Sequence, residues 1–144
     1  MFQTIRQKIK EKLDTLVWVW QLFAVAYQYF TMDVSGYPAV MFEPSSDTSS
    51  EYFTTCENER IYSFKIGMIV PITNNVDRDK ARDMLLPCQE KVINVFDQDF
   101  TLWGTVDKVV VTNWPIGAID LEKWEALYAE VSIRCHYLHN INNP

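Results

Sequence analysis

The sequence predicts a two-layer α+β domain: a largely antiparallel or mixed sheet of about five strands with two helices packed on one face. Three observations predict it. Apolar residues recur at helical spacing over 2–16 and again over 81–96. Strict alternation over 62–70 and 127–137 marks strands with one buried face. No repeat, linker or composition break divides the 144 residues, so one domain is expected over 1–144.

The first helix carries Phe2, Ile5, Ile9, Leu13 and Leu16 on one face. Thr4 with Gln7 resembles a capping box at its start. The other face is mostly basic, with Arg6, Lys8, Lys10 and Lys12 outnumbering Glu11 and Asp14. Residues 17–30 are aromatic and β-branched. Their second half, 22–30, reads as a strand buried on both faces, while Trp20 continues the helical stripe. Asp33, Ser35 and Gly36 supply turn chemistry. A second strand runs from Tyr37 to Phe42, with Pro38 at its end or at a sheet edge because it has no N–H to donate.

Residues 43–59 form an acidic excursion and are expected to be an extended loop or arm. They hold Glu43, Asp47, Glu51, Glu57 and Glu59 and no Lys or Arg. Long loops in compact domains are generally functional or disordered. The aromatic pair Tyr52 and Phe53 in the middle needs something to cover it. From Arg60 the chain alternates, with Tyr62, Phe64, Ile66, Met68 and Val70 on one face.

Thr73 to Asp77 reads as a turn and cap. Ala81, Leu85, Cys88, Val92 and Phe96 then form the second helical stripe. Pro87 lies within it and predicts a kink or break, because it removes a donor and crowds the carbonyl of Asp83. Trp103-Gly104 ends this region, and Val106 to Thr112 is a strand. Pro115 and Gly117 mark a loop. In the last strand Leu127, Ala129, Val131, Ile133, Cys135 and Tyr137 face one way and Tyr128, Glu130, Ser132, Arg134 and His136 the other. The tail from His139 should fray.

Composition excludes several function classes. A net charge of −6 argues against a protein that coats nucleic acid, since that affinity comes from Lys and Arg. The three cysteines, Cys56, Cys88 and Cys135, are too few and scattered for a disulfide framework. Charges interrupt the N-terminal stretch throughout, which is unlike a signal peptide. The apolar run 17–30 falls short of the ~20 residues a membrane span needs. A soluble protein with reduced thiols and no membrane partner is expected.

No catalytic set stands out. Cys135, His136 and His139 have metal-ligand residue types, but adjacent strand residues point to opposite faces. Cys88 lies on an apolar helical face and Cys56 in a polar segment, so neither is framed as a nucleophile. Asp97 and Asp99 fit a helix end better than acid–base work. The isolated glycines make no phosphate loop. An enzyme is not expected, and no catalytic residue, metal or cofactor is assigned.

Acidic 43–59 and the basic first helix instead form complementary patches on one chain. Such patches suit a head-to-tail ring in which each subunit's arm lies on its neighbour. The candidate subunit-interface residues are Glu51, Tyr52, Phe53 and Glu57 on the arm and Arg6, Lys8 and Lys12 on the helix.

Several stretches resemble the small neck proteins of long-tailed bacteriophages. They are Ala26-Tyr27-Gln28-Tyr29, Gly36-Tyr37-Pro38-Ala39-Val40, the acidic Ser-rich segment with Glu51-Tyr52, Asn58-Glu59-Arg60 leading into Tyr62-Ser63-Phe64, and 91–97 (KVINVFD). The likeness runs from about Ile5 to Ile133 and is nearest to tail terminator (tail-completion) proteins. It implies a mixed sheet with helices on one side and a homo-oligomer, a hexameric ring. Such a ring caps the tail tube protein, ends tube polymerisation and meets the head–tail connector protein. It implies a virion location in the tail or neck after assembly in the host cytoplasm. DNA would pass through the lumen without sequence-specific binding. The arm would order on assembly. The alternatives are another neck component, such as a head-completion or connector protein, or a non-viral ligand-binding α+β module.

Overall fold

The structure, a computed structural model, describes residues 1–31, 36–45, 49–52, 57–73, 77–121 and 124–140. The elements in chain order are α1 (Phe2–Trp18), β1 (Val25–Tyr27), β2 (Ala39–Pro44), β3 (Ser49–Tyr52), β4 (Glu57–Ile72), α2 (Arg78–Gln98), β5 (Lys108–Leu121) and β6 (Trp124–Asn140). The strands form one sheet in the order β1-β2-β4-β6-β5, with β3 also on β4. Among the described residues only the β1–β2 pair is parallel. The fold is thus α+β with a mixed sheet, as the periodicities predict.

Both helices cover the same face. From α1 come Ile5, Ile9, Leu13 and Leu16; from α2 come Ala81, Leu85, Cys88, Val92 and Phe96. They meet Val40 and Phe42 of β2, Phe64, Ile66, Met68 and Val70 of β4, and the odd-numbered residues 127–135 of β6. Every one of these side chains is at most 2% exposed, so the alternation read from the sequence is the alternation of burial. A smaller cluster on the opposite face joins Ala39, Met41, Ile69 and Ala126 to Val25, Tyr27 and Phe30. There Tyr128 and Phe30 close over Gly67; an added Cβ would meet Tyr128 Cε2 at 2.8 Å.

Several expectations are corrected. The N-cap of α1 is Met1 with no side-chain cap bond, so Thr4 and Gln7 make no capping box. The helix ends at Trp18, and Trp20 leaves the buried stripe, exposed at 58%. The strand expected over 22–30 is only Val25–Tyr27, half-buried at the sheet edge. Its neighbours serve other contacts: Phe23 enters the main core, and the Gln28 carbonyl accepts from Arg6; within the strand the Ala26 carbonyl accepts from Lys10.

α2 continues through Pro87 without a break. The residues buried before and after Pro87 share one stripe, so packing outweighs one lost backbone bond. Asp77 caps its start, accepting from the Lys80 N–H at 2.9 Å. Pro115 and Gly117 are not a loop. β5 runs through them with a register shift between Trp114 and Gly117. An edge strand tolerates this because proline's missing N–H need not face a neighbour. The side chain of buried Gln89 donates to the Trp114 carbonyl at 2.7 Å beside the bulge. In the expected fraying tail, His139 and Asn140 still pair with β4, and 141–144 lie outside the described residues.

The acidic excursion is corrected in its boundaries. Glu43 and Pro44 belong to β2 and Glu57–Glu59 to β4, and β3 stands between them. β2 and β3 run antiparallel to β4 along the same side of it, one beyond the other: Pro44 opposes Phe64 and Ser49 opposes Ile61. Beyond the ends of β2 and β5, strands β3, β4 and β6 continue as a three-stranded ribbon.

Candidate assembly surface

The candidate interface residues whose placement is described fall on three elements, β3, β4 and α1. Glu51 and Tyr52 lie on β3, opposite Glu59 and Asn58, and Glu57 begins β4 opposite Asn140. Phe53 lies outside the described residues. Arg6, Lys8 and Lys12 lie on α1. The start of α1 packs on β4, where Phe2 stacks on Phe64 with ring centroids 5.6 Å apart.

The basic face of α1 is largely engaged within its own chain. Arg6 donates to the Gln28 carbonyl at 3.3 Å. Lys10 pairs with Asp14 and reaches the Ala26 carbonyl. Lys12 is almost buried, its Nζ 2.8 Å from Asp99 and 4.2 Å from the centre of the Trp103 ring. Lys8 keeps more freedom; it is near Glu11 at 3.8 Å and over Trp103 at 5.2 Å. The helix is therefore a weaker free cationic patch than its residue count implies.

Asp99 ends α2 and organises the turn after it. Burial alone would raise its pKa. The Lys12 hydrogen bond, the Trp103 N–H, the Lys12 charge and the Thr101 hydroxyl together outweigh that and hold it below 3.8. The next turn is strained: Leu102, Trp103 and Gly104 all have left-handed backbone, with φ of 49°, 56° and 80°. Such conformations cost energy in non-glycine residues. Here the strain seats Leu102 fully inside the core and holds Trp103 out, 56% exposed.

Trp103 is one of a set that sequence reasoning missed. Trp18, Trp20, Trp103 and Trp114 are each at least 50% exposed, and so is Phe100. Trp20 is held by Lys91, whose Nζ lies 3.7 Å from the ring centre. Trp114 projects from the sheet face opposite the helices, its Nε1 donating to Ser132 at 3.0 Å. The only sequence signal was the aromatic density itself, which reads equally as core.

The residues weighed for chemistry are dispersed. Cys135 lies under the helices and His136 on the opposite face, where its Nδ1 pairs with Glu59. Burial pushes the Cys88 thiol up to about 11 and that of Cys135 to about 12. Both are poor nucleophiles at neutral pH, where the thiolate is the reactive form. Cys56 lies outside the described residues, as does the region around Asp47. Asp99 acts as a helix cap, as its position predicts, and Asp97 is exposed beside it. No helix among the described residues is long and apolar enough to cross a membrane.

No family model and no curated protein matches the chain. Among solved structures the chain is similar to a component of the virion of a native gene transfer agent (GTA) particle, at 13% identity and a TM-score of 0.48, over 91% of this chain and 93% of that one.

Proposed function

We propose that this chain is a non-enzymatic virion structural protein of the head–tail junction. In this reading it forms a hexameric ring that caps the tail tube, ends its polymerisation and joins the tail to the head connector. The observation that carries its assembly character is the exposure of all four tryptophans whose side chains are described. Tryptophan is highly buried on average, and exposed aromatic side chains are what protein interfaces use as anchors. The place in the virion rests on the residue resemblance to tail terminators. The ribbon of β3, β4 and β6 and the turn carrying Trp103 are the surfaces we assign to neighbouring subunits. DNA would pass the ring without being gripped, in keeping with the acidic net charge.

Native mass spectrometry with particle imaging of the purified chain, at low and high salt, tests this. A sixfold ring is expected. A twelvefold ring would move the chain to a head-completion or connector role. A monomer or dimer under every condition would overturn the assembly reading and favour a stand-alone ligand-binding module.

A further inference from the structure

We propose that the turn carrying Trp103 seats in a recess on the helix-free face of a second copy of this chain. The inference rests on the ring reading above and names the contact between its subunits.

The recess lies where β5 begins, at the root of the β3, β4 and β6 ribbon. A cavity of about 290 Å³ opens there, lined by Glu59, Asp107, Lys108, His136 and Leu138. Val109 and Cys135 belong to the helix-covered core, so Lys108, Val110, His136 and Leu138 face the bare side of the sheet. The walls are fixed. Glu59 pairs with His136 Nδ1, and each side chain is only 16% exposed. Asp107 accepts the Leu138 N–H at 2.6 Å. The volume falls just below the range of about 300–1,000 Å³ for small-molecule pockets, which suits one flat side chain.

Charge selects the occupant. Glu59 and Asp107 outnumber Lys108, so the lining is acidic, while Val110 and Leu138 stand exposed and apolar beside it. A matching partner brings an apolar body with a cation at its edge. The Trp103 turn is built that way. Trp103 and Phe100 are both more than half exposed, and Lys8 stands 5.2 Å from the Trp103 ring centre with 32% of its side chain open to solvent. The carboxylates of Glu59 and Asp107 also give the indole N–H an acceptor.

Placement selects a second copy joined head to tail. The Trp103 ring rests on Lys12 of α1, on the helix side of the subunit, and the recess opens on the other side of the sheet. A two-fold contact needs one self-matching patch, whereas patches on opposite sides build the head-to-tail contact that closes a ring. Trp114 shares the bare face with the recess and cannot play this part. The knob is also set before docking: Asp99 holds the Trp103 N–H and Lys12 lies under the ring, so little freedom is lost on binding. A tryptophan entering a pocket is the usual centre of interface energy, and the rim charge of Lys8 adds steering.

The test places a photo-reactive benzophenone amino acid at position 103 of the full chain. Unlabelled copies carrying it are mixed with ¹⁵N-labelled parent copies, assembled and irradiated, and the linked peptides are mapped by mass. Links between unlabelled and labelled peptides are expected at 107–108 or 136–138. In parallel, Trp103→Ala and Leu138→Arg should each weaken assembly roughly tenfold or more. Each variant keeps the half that the other lacks, so mixing the two should give dimers and no closed ring. Rings whose links stay within one copy, or fall on other segments, would overturn this contact and leave the ring reading standing. So would rings unaffected by Trp103→Ala. A parent chain that stays monomeric at every salt concentration would overturn both.

Discussion

Lys12 and Asp99 form an ion pair at 2.8 Å, with Lys12 nearly buried and Asp99 partly so, joining the middle of α1 to the end of α2. Lys12 also lies under the Trp103 ring, so one ammonium serves the helix seam and the exposed tryptophan together. Asp99 accepts the Trp103 N–H with both carboxylate oxygens, at 3.0 and 3.1 Å. The pair thus fixes the turn that presents Trp103.

The first prediction concerns coupling. Asp99→Asn and Lys12→Met should each destabilise by about 1–3 kcal/mol, the cost of leaving a buried hydrogen-bonding partner unsatisfied. Their double mutant should lose clearly less than the sum. Urea unfolding of the four proteins measures this. Strict additivity would show that the two side chains do not act as a pair. The same geometry complicates a charge reversal at Lys12, which would set a carboxylate against Asp99; reversal at Lys8 is the cleaner probe of subunit contacts.

The second prediction is a pH dependence. The folded pKa of Asp99 lies below its ordinary 3.8, so folding favours the charged form. Its contribution is full above the unfolded value and is lost as pH falls through the folded one. The stability gap between the parent and Asp99→Asn should therefore be constant near neutrality and close below about pH 4. A gap that widens on acidification would contradict this sign.

The third prediction separates two glycines that both face open space. An added Cβ meets nothing within 4 Å at Gly104 or at Gly117, but only Gly104 has left-handed backbone. Gly104→Ala should cost roughly 1 kcal/mol through conformation alone. Gly117→Ala should change stability by less than about 0.5 kcal/mol. Thermal unfolding of the two variants is the measurement, and equal effects would refute the distinction.

The fourth prediction concerns the thiols. Cys88 and Cys135 should resist alkylation at neutral pH in the folded protein and react fully in denaturant, because burial disfavours both thiolates. Mass mapping after iodoacetamide gives the answer by residue. Ready native labelling of Cys135 would mean that the helices do not cover that face.

What was legible in the sequence is what one-sided burial dictates. The α1 stripe from Ile5 to Leu16, the α2 stripe from Ala81 to Phe96 and the parity of β4 and β6 all follow from that requirement. The errors cluster where an element's extent depends on its neighbours. β1 is cut to three residues as its flanks turn to other contacts, Phe23 to the core and Gln28 to Arg6 of α1. β5 survives Pro115 because it is an edge, and α2 survives Pro87 because its stripe packs on both sides of it. The pairing of β3 with β4 left no periodic trace in a short polar segment.

The candidate site was less legible than the fold. Counting charges along α1 gave a basic face, but a count cannot tell that Lys12 is matched by Asp99 on another helix. Counting aromatics gave a core, but cannot tell which of them the core has no room for. By itself the sequence determined the layers: which residues face the sheet, which helices cover it, and the absence of a local catalytic motif. Those follow from period and burial, which act between near neighbours. Only the tertiary structure decided which charges are consumed internally and that Trp18, Trp20, Trp103 and Trp114 remain outside. Those outcomes depend on contacts between residues far apart in the chain, and no local pattern encodes them.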